Sequence, residues 1–329
     1  PFSNKKVVVA PLNWGIGHAT RLIPVITKLL DNDNIVYLAG DGNSFDLLKK
    51  RFPYLHSIDL PHLNIRYSSS NSLIFKGIIQ LPHFFHWLIK EKNAVREIQN
   101  VHNFDVIISD NRWFFRHTRG RSIYISHQLF IKLPKQIGFL ERYIFKLQKK
   151  IIERFDEVWV PDFENTAMSL AGELSHPPQK FKIPIKYIGI LSHLKKQDIS
   201  LVEYDICVLI SGPPPQNIIF EKTICNNLPK NLKIIVIGSS MKFVSEFSTI
   251  TFLPVQESEK VSEYISKSRL LVARAGYSTI MDCVSMEKSA ILVPTPGQIE
   301  QEYLAEIIKH KLLRFVHQRA VTACFRDFL

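Results

Sequence analysis

Residues 270–304 read LLVARAGYSTIMDCVSMEKSAILVPTPGQIEQEYL, and this stretch decides the fold of the second half of the chain. Its apolar start runs into Arg274-Ala275-Gly276 and then into a helical pattern, which predicts a strand, a turn and a helix. The first turn of such a helix carries backbone N–H groups without helical partners, an arrangement typical of phosphate binding. A second strand pattern at 290–293 ends in the polar loop 296–301. We therefore expect one ligand with a phosphate end and a hydroxyl-rich end at these strand ends.

Strand and helix patterns alternate along the rest of the chain in the same way. Strand patterns fall at 6–10, 35–39, 105–109, 122–126 and 157–160, and again at 205–210, 233–237, 249–253, 270–273 and 290–293. This alternation predicts an α/β protein with two doubly wound parallel sheets. We predict a first domain over 1–162 and a second over 163–329, with a linker at about 163–184 and a cleft between the domains.

The composition restricts the class of protein. The chain has 329 residues, 46% of them hydrophobic, and no run of 18 uncharged apolar residues, so no membrane-spanning helix is expected. No secretory leader is recognisable at the N-terminus. The four cysteines show neither metal-site nor redox spacing, which favours reduced thiols and a cytoplasmic location.

The net charge of +12 is concentrated in the first half of the chain. Residues 1–162 contain 23 basic and 14 acidic residues, whereas residues 163–329 contain 19 and 16. Two basic stretches rich in aromatic residues, 73–92 and 136–154, are interpreted either as ordinary core helices or as a patch for an anionic membrane surface. No nucleic-acid-binding motif accompanies the charge, so no nucleic-acid partner is predicted.

A glycine-containing loop follows the first strand pattern. Gly15, Gly17, His18 and Arg21 lie together there, and a histidine at a strand end is a candidate general base because it titrates near neutral pH. A nicotinamide-binding loop is the weaker interpretation, because Thr20 occupies the position of that motif's third small residue. An ordinary tight turn is the structural alternative.

Polar residues also follow other strand patterns of the first half. Asp110, Asn111 and Arg112 follow 105–109, and His127 follows 122–126. Asp110 is expected to orient His18, and the other three to contact a polyhydroxylated ligand, with solvated turns or capping as the structural alternatives.

Two further loops contain polar residues of the kind found in ligand sites. Ser211-Gly212 precedes a helix pattern, but Pro213, Pro214 and Pro215 supply no N–H donors, so contacts would come from Ser211, Gly212, Gln216 and Asn217. The Asp31-Asn32-Asp33 pair of carboxylates lies at the amino edge of the predicted sheet, where a turn is expected. We therefore predict no metal site.

The motifs together resemble GT-B glycosyltransferases, whose fold has two Rossmann-like domains facing across a cleft. Arg274-Ala275-Gly276, Asp282 and Gln298 to Gln301 resemble the donor half of family-28-like enzymes. That group includes the transferase that adds N-acetylglucosamine to a lipid-linked peptidoglycan precursor and the plant galactolipid synthases. Gly15-Ile16-Gly17-His18 resembles the acceptor-side loop of the same group. The segments NWGIGHATR, ISDNR, ISHQ, VWVPDFE and SGPPPQ resemble an uncharacterised bacterial branch of predicted glycosyltransferases.

The resemblance implies roles for individual residues. The helix start at Gly276, Tyr277, Ser278 and Thr279, with Arg274, would hold the donor diphosphate. Asp282 would hold the ribose hydroxyls, although many members have the longer Glu there. Further implied positions are Phe252 and Leu253 beside the base, Gln298, Glu300 and Gln301 at the donor sugar, and His18 as the base. The proline-rich loop after Ser211 departs from the family, which has a glycine- and serine-rich loop there.

These observations favour an inverting, metal-independent glycosyltransferase that needs no cofactor, since the nucleotide sugar is its substrate. A UDP-sugar is the expected donor, and the acceptor is expected to be lipid-linked or at a membrane surface, with the protein peripheral on the cytoplasmic face. A sugar-nucleotide 2-epimerase and a non-catalytic nucleotide-sugar-binding or membrane-associated subunit are the alternatives.

Overall fold

The computed structural model describes residues 2–62, 73–118, 120–199, 201–240 and 249–321, with the backbone alone for 73–86. The chain divides into two compact units, Pro1–Leu191 and Ser192–Leu329. In the described part of the chain, no helix has both the length and the apolar character needed to cross a membrane.

Unit 1 is built on a parallel sheet of seven strands in the order β3-β2-β1-β4-β5-β6-β7. The strands are β1 (Lys6–Pro11), β2 (Ile35–Gly40), β3 (His56–Asp59), β4 (Val106–Asp110), β5 (Arg121–Ile125), β6 (Glu157–Val160) and β7 (Ile185–Tyr187). The helices are α1 (Gly17–Leu30), α2 (Gly42–Arg51), α3 (Leu73–Val101) and α4 (Glu141–Ile152), and a 3₁₀ segment (Lys135–Leu140) precedes α4.

Unit 2 repeats the architecture with six strands in the order β10-β9-β8-β11-β12-β13. Its strands are β8 (Tyr204–Leu209), β9 (Ile234–Ile237), β10 (Ile250–Leu253), β11 (Ser268–Arg274), β12 (Ala290–Val293) and β13 (Leu313–Phe315). Its helices are α5 (Gln216–Cys225), α6 (Ser258–Ser266), α7 (Tyr277–Ser285) and α8 (Ile299–Ile307). The two sheets confirm the predicted α/β class.

Burial explains why these segments form parallel strands. The centres of β1, β4 and β5 are apolar and fully buried, as are those of β8, β11 and β12 in unit 2. A strand covered on both faces reads as a continuous hydrophobic run, as VVVA, VIIS and LLVA do here. The polar residues that follow these runs are therefore confined to the strand ends, where they form a common edge.

The predicted domain boundary is corrected by the structure. The segment 163–184 is part of unit 1, because β7 follows it and pairs with β6. The buried carboxylate of Asp162 folds the segment back by accepting hydrogen bonds from Ser169 Oγ, Ser175 Oγ and the N–H of Leu170. The units divide instead between Leu191 and Ser192.

Candidate functional site

The carboxyl edge of the unit 1 sheet gathers the polar residues predicted from the sequence. In the parallel register Pro11 at the end of β1 lies beside Asp110 at the end of β4, and Asp110 lies beside Ile125 at the end of β5. The loop after β1 leads into α1, which carries His18 and Arg21. Residues distant in sequence therefore meet at one edge.

Three side chains form an ionic cluster at this edge. Arg21 donates from Nε to Asp110 Oδ2 at 2.6 Å and from Nη2 to Asp110 Oδ1. His18 Nδ1 lies 2.9 Å from Asp110 Oδ1. Asp110 is fully buried, whereas 15% of the His18 side chain remains exposed. The imidazole is thus the member of the cluster that a ligand can reach.

The protonation states follow from this geometry. Burial alone would raise the pKa of Asp110, but Arg21 and His18 outweigh it and the pKa is lowered. Burial and then Arg21 lower the pKa of His18, with Asp110 opposing them. His18 Nδ1 lies within hydrogen-bond distance of two groups: the carboxylate of Asp110, which only accepts when it is ionised, and Arg21 Nη2 at 2.7 Å, which only donates. In the tautomer that donates from Nδ1 to Asp110, Nε2 has no proton. Nε2 then carries a lone pair, which is the form a general base requires.

His127 and Asn111 are held by neighbours at the same edge. His127 is buried, and its Nδ1 accepts a hydrogen bond from Arg21 Nη1 at 3.1 Å. Asn111 has a left-handed backbone, with φ of 54°, and its Oδ1 accepts a hydrogen bond from Tyr124 at 2.9 Å. The structure therefore brings both residues to the cluster, and their predicted contact with an acceptor stays a prediction.

Arg112 lies in a second, fully buried network. Its Nε donates to Glu91 on α3 at 2.5 Å, and its Nη1 donates to Asp41 at 2.8 Å and to the carbonyl of Pro11 at 3.0 Å. Arg112 is 0% exposed. The predicted acceptor contact of Arg112 is therefore not what this geometry supports: its guanidinium joins the ends of β1 and β2 to α3. Burial raises the pKa of Glu91, although Arg112 opposes the shift.

In unit 2, β11 ends on a buried arginine. Arg274 is 3% exposed and donates long hydrogen bonds to the carbonyls of Pro294 (3.3 Å) and Gln216 (3.4 Å). Its guanidinium lies 4.3 Å from the centre of the Phe220 ring. Within the described residues its Nε has no hydrogen-bond partner and no carboxylate pairs with it. Burial lowers the pKa of Arg274 to about 10, so it remains charged at neutral pH.

Helix α7 begins three residues later, at Tyr277. Its N-cap is Gly276, with φ of −71°, a value open to any residue, and a Cβ added there would meet only Thr279 Oγ1 at 3.9 Å. Neither backbone strain nor packing thus requires glycine at this position. The first backbone bond runs from Ile280 N–H to Gly276 O, and the first turn of a helix points its N–H groups outward. The combination of cation, small residue and helix end is suited to an anion.

The Ser211 loop differs from this arrangement. Gly212 has φ of 100°, and α5 begins at Gln216. The N–H groups of Gln216 and Asn217 both donate to the carbonyl of Pro213, and that of Ile218 to the side chain of Asn217. The first turn of α5 is thus capped by the protein itself, so Ser211, Gly212 and the Gln216 side chain are what the loop can offer a ligand.

The remaining residues predicted to bind the donor lie on α7, at the start of α8 and at the end of β10. Asp282 is on α7 and accepts a hydrogen bond from Ser192 Oγ at 2.6 Å. Gln301 Oε1 accepts from the Thr295 N–H at 2.8 Å, which shapes the loop before α8. Gln298 is the N-cap of α8 and is exposed, and Glu300 is in the first turn; Phe252 and Leu253 end the edge strand β10.

Known proteins give this geometry a context. Residues 234–323 match the model of the glycosyltransferase family 28 C-terminal domain. An uncharacterized glycosyltransferase of Methanosarcina acetivorans is 22% identical, over 93% of this chain and 84% of its own length. The chain is a glycosyltransferase, and it resembles family 28.

Solved structures show that the transferase has the GT-B fold. The MurG structure from Acinetobacter baumannii has a TM-score of 0.56 at 10% identity, covering 98% of this chain and 90% of that one. The glycotransferase of kitacinnamycin has a TM-score of 0.63 at 11% identity, covering 99% and 91%. Both alignments include elements of each unit.

Several residues around the transferase's sites were missed by the sequence patterns. Glu91 lies inside a helix pattern, and Asp41 follows the second strand pattern. Ser192 and His193 lie in a segment without a strand or helix signal. No local signal marks Glu91, because Lys90 and Lys92 flank it and such a charged run is typical of a solvated helix face.

Among the residues that the structure describes, no group of three or more His, Cys, Asp or Glu side chains is arranged to hold a metal ion. Asp31 and Asp33 lie in the turn between α1 and β2, as expected.

Proposed function

We propose that this glycosyltransferase transfers a sugar from a UDP-sugar to an acceptor hydroxyl with inversion, using neither a metal ion nor a cofactor. The observation that carries the proposal is the buried guanidinium of Arg274, which lies against Phe220 and the Gln216 carbonyl of α5 and belongs to the strand end that leads into α7. A buried charge without a carboxylate partner is costly to the fold, so a bound anion supplies the reason for keeping it. Together with the helix dipole it provides a preorganised positive field for the leaving diphosphate.

The acceptor side of the proposal rests on the cluster of His18, Asp110 and Arg21. Asp110 holds the Nδ1 proton of His18, and Nε2 takes the proton of the attacking hydroxyl. Asp110 stabilises the imidazolium as it forms, whereas Arg21 opposes that charge and keeps the imidazole neutral before the attack. Inversion follows from a single attack by the acceptor oxygen on the anomeric carbon, opposite the departing diphosphate.

Replacing Arg274 by methionine tests the donor assignment, because it separates binding from folding. We expect Arg274→Met to bind UDP at least about tenfold more weakly, since a hydrogen bond to a charged group contributes about 1.5–3 kcal/mol. Its Tm should be equal to or above that of the wild type, because a buried, uncompensated charge is removed. Titration calorimetry with UDP, ADP, GDP and NAD, together with thermal unfolding, measures both quantities.

Arg269→Met is the matched control in the same unit. Arg269 is exposed and lies 3.7 Å from Asp205, so both UDP affinity and Tm should remain close to those of the wild type. Unchanged UDP affinity in Arg274→Met, or binding of NAD in preference to UDP, would contradict the donor assignment.

The acceptor is proposed to be amphipathic and presented at a membrane surface on the cytoplasmic side. Trp14 and Ile16 flank Gly15 in the loop before His18, and each is nearly half exposed. Phe139, Tyr143 and Leu147, spaced four residues apart at α4 and the turn before it, are also exposed. We call these last three residues the α4 apolar stripe.

Basic residues accompany the α4 apolar stripe. Arg142, Lys146 and Lys150 are exposed on the same helix, and no acidic residue lies between them. A groove of about 420 Å³ opens beside Phe139 and is lined also by Phe130, Lys132 and Pro178. A helix with exposed apolar and basic side chains fits the interface of an anionic bilayer.

Lys146→Glu tests this surface. Reversing one charge near an anionic bilayer should weaken binding at least about fivefold, because each basic residue contributes about 1 kcal/mol there. Co-sedimentation at low salt, with vesicles of phosphatidylcholine and phosphatidylglycerol, measures the effect. Lys28→Glu, on the exposed side of α1, is the control and should bind like the wild type. Equal binding of the wild type to pure phosphatidylcholine vesicles would contradict the role of charge.

A further inference from the structure

Asp282 lies on the same face of α7 as residues of its first turn, where the diphosphate is proposed to bind. Ser278 and Thr279 precede it by four and three residues, the spacing at which helical side chains are neighbours. Asp282 is six residues beyond Gly276, or about 9 Å along the helix axis at 1.5 Å per residue. A nucleotide whose diphosphate lies at the helix start would extend its ribose toward this carboxylate.

The segment that opens unit 2 packs against this carboxylate. Ser192 Oγ donates to Asp282 Oδ1 at 2.6 Å, and in turn accepts a hydrogen bond from the Leu194 N–H at 3.1 Å. His193 Nδ1 lies 3.6 Å from the same Oδ1. Both contacts thus involve one oxygen, and Oδ2 has no hydrogen bond or ion pair among the described residues.

The two oxygens of the Asp282 carboxylate differ: Oδ1 accepts the hydrogen bond from Ser192, and Oδ2 is available to a ligand. Ser192 fixes the rotation of Asp282, so Oδ2 has a defined direction in which to accept hydroxyl hydrogens. His193 is 15% exposed and adds a ring nitrogen beside the carboxylate, where it can pair with a second hydroxyl. A cis-diol offers two hydroxyls at adjacent carbons, which matches one carboxylate oxygen and one ring nitrogen.

We propose that Ser192 and His193 complete a ribose-reading site on Asp282, and that this site makes the enzyme select ribonucleotide over 2′-deoxyribonucleotide donors. The inference rests on the proposed donor assignment. His193 Nδ1, 3.6 Å from Asp282 Oδ1, places a second polar group beside the carboxylate. Ser192 acts as a positioning residue, because its hydroxyl hydrogen is already given to Asp282.

Selection between the two nucleotides arises from the free-energy cost of leaving a buried polar group without a hydrogen-bond partner. A site built to bind a hydroxyl rejects the analogue without it, because its own groups are left unpaired. We expect the wild-type chain to bind UDP about tenfold or more tightly than 2′-deoxy-UDP, the change for a hydrogen bond to a charged group. Ser192→Ala and His193→Ala should each bring this ratio toward one.

Titration calorimetry of the full chain with UDP and 2′-deoxy-UDP tests the inference. Ser285→Ala, at the exposed end of α7, and His317→Ala, at an exposed position of unit 2, are the matched controls and should keep the wild-type ratio. The ratio compares two ligands on one variant, so a partly destabilised variant still reports on selection.

The outcomes distinguish a failure of the ribose inference from a failure of the donor assignment. UDP binding with equal affinity for 2′-deoxy-UDP, or a full ratio in both Ser192→Ala and His193→Ala, would overturn the inference and leave the donor assignment standing. Failure of the wild-type chain to bind UDP at all would overturn the donor assignment and the inference with it.

Discussion

His18→Ala should lower kcat by about 10²–10⁴-fold while leaving UDP affinity within about twofold of the wild type. The expected loss is large because Nε2 of His18 is the proposed proton acceptor, and Asp110, 2.9 Å from Nδ1, holds the ring in place. The affinity should persist because the proposed diphosphate site lies in unit 2, at Arg274 and α7. Steady-state kinetics with UDP-sugars and lipid acceptors, combined with calorimetry, measures both.

The pH profile offers a second measurement on His18. Because burial and Arg21 lower the pKa of His18 below its usual 6.5, the neutral base persists to lower pH than in a free imidazole. Activity should be present above the lowered pKa and be lost as pH falls through it. Turnover by His18→Ala at the wild-type rate would contradict the assignment, and turnover of UDP-N-acetylglucosamine without an acceptor would indicate an epimerase. An absence of turnover in both forms would favour the non-catalytic subunit.

Arg112→Ala should lower the free energy of unfolding by about 3–5 kcal/mol, because it leaves the buried carboxylates of Glu91 and Asp41 without their cation. Marginal stability makes this a large share of the total. Burial already raises the pKa of Glu91, and removing Arg112 raises it further. Because the folded pKa then exceeds the unfolded one, protonation favours the fold, and the variant should lose stability as pH rises. Urea unfolding at two pH values checks this.

Arg96→Ala is the control for Arg112→Ala. Arg96 lies on the same helix as Glu91 and is exposed, so its loss should change stability by less than about 1 kcal/mol. A loss of similar size in both variants would mean that the buried network is not what stabilises this region. The opposite responses expected of Arg112→Ala and Arg274→Met would separate an arginine kept for the fold from one kept for a ligand.

The arrangement of the sheets and of the ionic cluster was largely predictable from the sequence. Apolar runs such as VVVA and VIIS mark buried parallel strands, and the carboxyl ends of such strands share one edge. His18 and Asp110 are 92 positions apart, yet each directly follows a strand or its loop. Adjacency of their side chains was therefore implied by topology alone.

The surroundings of the sites were not predictable in the same way. Arg112 follows a strand like Asp110 does, but its guanidinium turns inward because Glu91, 21 residues earlier, and Asp41, 71 residues earlier, are buried at that point. No local pattern encodes that meeting. The domain boundary was misplaced for a similar reason, since Asp162 folds a loop-like segment back onto unit 1 through side-chain hydrogen bonds.

The self-capped start of α5 has a consequence for the end of the catalytic cycle. The N–H groups of Gln216 and Asn217 donate to the Pro213 carbonyl. Under our proposal the departing diphosphate therefore binds the start of α7 alone, and not the start of α5 as well. The nucleotide product should therefore bind more weakly here than in an enzyme whose corresponding loop offers free N–H donors. Faster product release and weaker inhibition by accumulated nucleotide follow from that, so the rigid prolines would favour turnover over tight capture.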